Sequence, residues 1–430
     1  MSNTSAESGS PVRWVPTLYF AEGLPFVAIA TVSTLMYKGL GVSDAQIAFW
    51  TSLVMLPWTL KPLWGPLLEM FRTKKWFVVL TQSVIGVCFA LLAFSLPLSA
   101  FFQYSLALFA IIAFNGATHD IAADGLYISV LSEKRQSEFV GWQGASYNTA
   151  KIFTQGLLVY IAGQLETSVG VVNAWMIVMG VFGAIMLILS LYHSRFLPAG
   201  ADAGVRPTVA DAARTVRDVV RTFFTKKHVW AGIAFIILYR FAEGQAVKIV
   251  PLFMKAAREQ GGLALSTSEI GIIYGTFGVA AFVLGSILAG YFTARRGLRR
   301  SLMILCAFFN IPFAVYAFLA ILQPTDLFAI GAAVVFEYFG YGFGFVGLTL
   351  FMMQQIAPGK YRTAHYAFAT GIMSLGMMIP SMLSGFISDW LGYREFFIWV
   401  VIATIPSFVV TWLVPFRDVA AEEGTAGGEV

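Results

Sequence analysis

Long apolar runs separated by short polar breaks dominate this chain. About 20 apolar residues suffice for a helix to cross a bilayer. Twelve runs reach that length, near 14–37, 45–68, 76–97, 101–130, 139–163, 173–194, 229–254, 269–292, 301–322, 327–353, 364–388 and 395–415. They predict an all-α membrane protein of twelve spans, several long enough to tilt. The longest polar break, about 195–228, splits the spans six and six. Between Thr208 and Phe224, Val209, Ala212, Ala213, Val216, Val220 and Phe223 recur at helical spacing and predict an amphipathic helix on the membrane surface. The expected organisation is an N-terminal tail (1–13), a six-helix bundle (14–194), a linker (195–228), a second six-helix bundle (229–415) and a C-terminal tail (416–430).

The halves resemble each other. Phe20-Ala21-Glu22-Gly23 in span 1 returns 221 residues later as Phe241-Ala242-Glu243-Gly244 in span 7. Gly65-x-x-x-Glu69-x-x-Arg72 after span 2 returns loosely as Gly290-x-x-x-Ala294-Arg295 after span 8. Repeats of this kind place a substrate site between the halves near the midplane. Gly65, Glu69, Arg72, Gly290 and Arg295 are read as a motif of the loops that move with the halves.

Composition agrees. Of 430 residues, 58% are hydrophobic and 12% charged, against about 25% charged in a soluble domain. Residues 1–13 are short and polar and read as a tail rather than a cleaved leader. Charge placement sets the orientation. Twenty of the 28 Lys and Arg fall on one side of the predicted spans, four on the other and four within them. Cytoplasmic segments carry the excess of Lys and Arg, which puts both termini and the linker in the cytoplasm. Cys88 and Cys306 lie in apolar runs, without disulfide or metal-ligand spacing.

The remaining chemistry is charge inside hydrocarbon, which costs at least ~2.5–3.5 kcal/mol per group. The embedded acids are Glu22, Asp120, Asp124, Glu243 and Glu337; the embedded bases are Lys61, Lys151, Arg240 and Lys248. The near balance predicts pairing across the bundle. Asp120 and Asp124 stand four apart in span 4 and share a face with Tyr127. Two carboxylates so close cannot both ionise cheaply in a low dielectric, the property a proton-driven carrier needs; alternatively Lys151 or another base fixes them as a structural network. Glu22, Glu337 and His119 complete the proton-handling candidates, with His119 equally readable as a neutral core residue. In span 5, Tyr147, Asn148, Lys151 and Gln155 form a polar stripe fit for sugar hydroxyls or a carboxylate, or a seam against span 4. In span 7, Arg240 and Lys248 share a face where Arg240 could grip an anion bidentately; the alternative is an Arg240–Glu243 pair. Tyr338 stands beside Glu337 in span 10. No zinc motif, phosphate loop or nucleophile elbow occurs, so an enzyme or ATP-driven pump is not expected. No cofactor, metal or nucleic acid is implied.

Twelve spans, the six-plus-six split and the loop after span 2 resemble the major facilitator superfamily, although that family's loop has Asp followed directly by Arg where this chain has Glu69 and a displaced Arg72. Lys61-Pro-Leu-Trp64-Gly-Pro66-Leu-Leu-Glu69 is similar to a stretch of the AmpG-type permeases, and Thr118-His119-Asp120-Ile121-Ala-Ala-Asp124 is similar to their span 4, with His119 in place of Gln. The broader family includes acetyl-CoA transporters. The resemblance implies proton-driven import of anhydromuropeptides across a bacterial inner membrane by a monomer in the lipid bilayer. It makes Asp120 and Asp124 the expected proton carriers, and Lys151 and Arg240 the expected partners of an anionic substrate group. Competing readings are proton-coupled transport of siderophores, drugs or acyl carriers, and a non-transporting membrane sensor.

Overall fold

The computed structural model describes residues 10–64, 68, 73–198, 209–359 and 361–416. Among them there is no strand. The spans are α1 (Pro11–Gly39), α2 (44–63), α3 (Lys74–Ser95), α4 (Phe101–Val130), α5 (133–169), α6 (Val171–Phe196), α7 (229–255), α8 (Thr267–Arg296), α9 (Leu298–Leu322), α10 (Leu327–Ile356), α11 (Arg362–Leu391) and α12 (Tyr393–Leu413).

Among the described residues nine of these are long and apolar enough to cross a bilayer. The other three depart for local reasons. α2 breaks at a turn through Val54 and Met55. α5 starts in a polar stretch at Glu133, where Ser132 Oγ accepts the Arg135 N–H at 3.4 Å. Its observed length exceeds the predicted 139–163 because that polar first turn is helical all the same. α7 breaks at Arg240 between Val229–Tyr239 and Phe241–Lys255 and carries four charges, Arg240, Glu243, Lys248 and Lys255.

Among the described residues four spans contain a wide, π-helical turn: Ala28–Val32 in α1, Ile152–Leu158 in α5, Gly271–Gly278 in α8 and Met352–Ile356 in α10. Such turns hold an extra residue and displace backbone carbonyls from the α ladder. Two of them face each other across the halves: a methyl added to Gly275 would strike the Gln155 carbonyl, and one on Gly271 would lie 2.6 Å from the Tyr160 nitrogen. The span 8 glycines therefore permit direct backbone approach.

The amphipathic linker helix runs Val209–Phe224. Phe223 is buried against the second half, 4.8 Å from the Phe368 ring centroid, and Thr222 Oγ1 lies 3.1 Å from His365 Nε2. Trp390, Phe328 and Trp412 are 83%, 83% and 77% exposed on the outer surface, an environment suited to lipid rather than water. Cys88 and Cys306 are buried and free.

The halves are clasped on the side away from the linker. Lys38 Nζ meets Asp44 Oδ1 at 2.6 Å, and the Tyr393 hydroxyl of the other half donates to Asp44 Oδ2. Lys255 of α7 pairs with Glu166 of α5 at 3.1 Å, where Thr267 also donates at 2.6 Å. Gln164 reaches Ser268 at 3.0 Å. Gly163 lies against the Ser268 backbone and Gly385 against the Asp44 carbonyl, each without room for a methyl.

Candidate functional site

A cavity of about 390 Å³ lies below this clasp, lined by both halves. From the first half come Phe26, Trp58, Tyr147 and Lys151; from the second come Tyr274, Phe282, Tyr338 and Tyr341. Its charged lining consists of Lys151, Arg240, Glu243, Lys248 and Glu337. Pockets of this size and mixed lining suit small organic ligands.

Lys151 ends the regular part of α5, just before the wide turn. Its ammonium sits 5.3 Å from the Tyr147 ring centroid and 5.4 Å from that of Phe282, which belongs to the other half. Among the described residues it has no hydrogen-bond or ion-pair partner. Ring faces stabilise a cation without consuming its N–H donors. Lys151 thus remains able to bond an anion, and it does not pair with the span 4 acids.

Of the two readings of Arg240, an anion grip or a pair with Glu243, the structure shows the pair. The break in α7 folds its guanidinium onto Glu243, Nε to Oε2 and Nη2 to Oε1, both 2.5 Å. Two of its donors are thereby engaged within its own helix. Phe345 lies 5.2 Å over the guanidinium and Met377 Sδ accepts from Nη2 at 2.9 Å. Lys248 donates instead to the Ala30 carbonyl at 2.6 Å, in the wide turn of α1. Both arrangements are tight because a buried charge left unpaired costs several kcal/mol. Glu243→Gln, which strands Arg240, is expected to destabilise the fold by about 3–5 kcal/mol, read as a large drop in the thermal unfolding midpoint of the detergent-solubilised protein. An unchanged midpoint would show that water or lipid reaches the pair.

Glu337 also faces the cavity, 4% exposed, and accepts the Tyr316 hydroxyl at 2.8 Å. Tyr338 is beside it, edge-on to Tyr274 at 4.9 Å. Asn148 does not line the cavity: its amide donates to Gly144 O at 2.9 Å within α5, and its Oδ1 is buried without a partner among the described residues.

The acids of α4 form a separate cluster toward the linker side. Lys61 Nζ lies 3.5 Å from Asp120 Oδ2, which also accepts the Trp58 indole N–H at 2.9 Å. Tyr19 donates to Asp124 Oδ1 at 3.0 Å. Glu22 is within electrostatic reach of Asp120, Asp124 and Lys61, with Oε2 buried and without a partner among the described residues. Trp58 belongs to both sites, since it lines the cavity and holds Asp120. His119 turns the other way, into a chain of Gln82 (2.8 Å), His193 (2.9 Å from Gln82) and Thr17 (3.0 Å from His193).

Of the loop motif, Gly65, Glu69 and Arg72 lie outside the described residues. Gly290 has open space around its Cβ direction, and Arg295 is exposed. No packing constraint on Gly290 accounts for the motif in the second half.

Sequence reasoning missed Lys61 and Trp58 as partners of Asp120, and Tyr274 and Tyr316 as companions of Glu337. Trp58 and Lys61 stand three apart, one helical turn, so a shared face was available as a signal. Tyr316 sits in an otherwise apolar span and gave none.

The family model of the Major Facilitator Superfamily matches residues 17–357 and 249–430. The anhydromuropeptide permease of Escherichia coli (strain K12) is 23% identical over 400 residues, covering 91% of this chain and 77% of the relative. Among solved structures, a bacterial homolog of the human lysosomal transporter Spinster, inward-facing and occupied, aligns with TM-score 0.71 at 16% identity over 95% of this chain and 97% of the other. A D-xylose–proton symporter aligns with TM-score 0.71 at 12% identity over 95% and 98%.

Proposed function

The chain belongs to the Major Facilitator Superfamily, and from that premise we propose that it imports an anhydromuropeptide, or another saccharide containing an amino sugar, across a bacterial inner membrane with protons. It is a membrane transporter and not an enzyme. Trp58 carries the coupling argument: its ring lines the cavity while its indole N–H holds Asp120. Cargo pressing on that ring alters the hydrogen bonding of a carboxylate in the proton cluster. Asp120, Asp124 and Glu22 exchange protons, with Lys61 as their counter-ion and His119 behind them. Tyr147 and Lys151 receive the cargo's ring and its anionic group, Tyr338 flanks them, and the Arg240–Glu243 pair and Lys248 shape the wall. Gly65, Glu69 and Arg72, together with Gly290 and Arg295, adjust the loops as the halves rock.

With the Lys- and Arg-rich side in the cytoplasm, the clasp around Asp44 and Glu166 closes the outer face, so this conformation faces inward. The working unit is a monomer in the lipid bilayer, with both termini inside. Sugar rings stack well on aromatic faces such as Tyr147 and Phe282, and the relative named for anhydromuropeptide transport supports the choice of cargo.

Proteoliposomes given labelled GlcNAc-anhydroMurNAc peptide and an inward proton gradient test this. Accumulation that collapses with a protonophore supports both cargo and energy source. Absence of uptake, with counterflow of a different saccharide, siderophore or acyl carrier, replaces the cargo. Movement only outward in vesicles of known orientation makes the protein an exporter.

A further inference from the structure

Charges in the cavity wall are unevenly satisfied. Arg240 and Glu243 neutralise each other, and Lys248 has the Ala30 carbonyl. Among the described residues Lys151 has only two rings, and Glu337 only the Tyr316 hydroxyl. Among the described residues the one other carboxylate within electrostatic reach of Glu337 is Glu243, which is already engaged by Arg240. The two unmatched groups are of opposite sign, on opposite halves, and both face the same cavity.

The surroundings of Glu337 are specific. Tyr316 donates to it, while Tyr274 and Tyr338 lie within its electrostatic reach and pack edge to face. A carboxylate walled by aromatic rings is the arrangement that holds an ammonium, through a charged hydrogen bond and the ring faces. Gln155, one turn beyond Lys151, reaches the Tyr338 hydroxyl at 3.5 Å. This contact joins the helix of Lys151 to the ring beside Glu337 across the two halves. We propose that Glu337, with Tyr274, Tyr316 and Tyr338, is a socket for a primary ammonium group of the cargo, opposite a carboxylate held at Lys151. The cargo is then zwitterionic, a peptide-bearing or aminoacyl compound rather than a bare saccharide. This rests on the reading of the cavity as the cargo site, and it moves Glu337 from proton handling to recognition.

The test uses two matched pairs of probes on the purified full-length protein: a GlcNAc-anhydroMurNAc peptide that carries a diamino acid with a free side-chain amine and the form acetylated on that amine, and the dipeptide Ala-Glu and its N-acetylated form. Binding is followed by calorimetry in wild type and in Glu337→Gln. Acetylation is expected to weaken wild-type binding at least about tenfold, the scale of one charged hydrogen bond. Glu337→Gln is expected to bind both members of a pair alike, close to the acetylated level in wild type. Discrimination within the dipeptide pair alone sustains the socket and refutes the muropeptide cargo. Equal wild-type binding of free and acetylated forms overturns the socket. So does a Glu337→Gln variant that keeps the discrimination or weakens both members equally, and so does binding of neither pair.

Discussion

Asp120→Asn and Asp124→Asn are expected to abolish accumulation driven by a proton gradient while leaving downhill exchange of cargo in place. Asp120 holds Lys61 at 3.5 Å and Trp58 at 2.9 Å, and Asp124 takes the Tyr19 hydroxyl at 3.0 Å. An amide preserves shape and part of the hydrogen bonding but cannot gain and lose the proton. It also leaves Lys61 with fewer counter-charges; the Lys61 side chain is 35% exposed, so solvent screens the loss and the cost is about 1 kcal/mol. Without a group that takes up and releases the proton, concentrative uptake should fall to the level of downhill equilibration. Asp120→Asn should show the larger loss of stability, because it removes the nearest partner of Lys61. Comparing gradient-driven uptake with counterflow in the same proteoliposomes separates the two effects. Normal accumulation by both variants would remove these acids from the coupling reaction. Loss of counterflow as well would assign them to binding or folding.

The second large effect is expected at the clasp. Gly163→Val and Gly275→Leu place side chains where the Ser268 backbone and the Gln155 carbonyl lie. Backbone cannot swing aside as a flexible side chain does, and overpacking of this kind costs about 1–3 kcal/mol or more. The clasped state should lose ten- to a hundredfold in population, and transport should fail because one of the two alternating states is missing. Spin labels on the two halves near Glu166 and Thr267 should report a longer distance than in the parent protein. Gly290→Ala is the control, since open space surrounds that position, and it should transport normally. Unchanged label distances in Gly275→Leu would mean that the wide turns of α5 and α8 relax to absorb the bulk.

The spans were legible because the apolar period persists through nearly every run, and the predicted bounds of 101–130 coincide with α4 (Phe101–Val130). The repeated Phe-Ala-Glu-Gly, by contrast, occupies different settings. Glu22 lies in the acid cluster with an oxygen that has no partner among the described residues, and Glu243 is locked to Arg240 by the break in α7. Repetition in sequence fixed the depth of these residues, not their partners. The pairing of Asp120 depended on how α2 turns near Val54 and Met55, which brings Lys61 rather than Lys151 to it. Likewise Asn148 and Lys151 were read as one stripe, yet Asn148 turns to its own helix and only Lys151 enters the cavity. Neighbouring polar residues diverge by about 100° per position on a helix, and the wide turn that begins at Ile152 is invisible to a period count. The aromatic companions of Glu337 come from α8, α9 and α10, so only the folded bundle assembles them.

The facing wide turns of α5 and α8 carry a mechanical consequence. Each is a dislocation in an otherwise regular helix, storing one residue more than the ladder needs. Annealing such a dislocation would spin the outer third of its helix by about 100° about its own axis with little change in tilt. The Gly163 and Ser268 surfaces would then swivel out of mesh like the teeth of two gears.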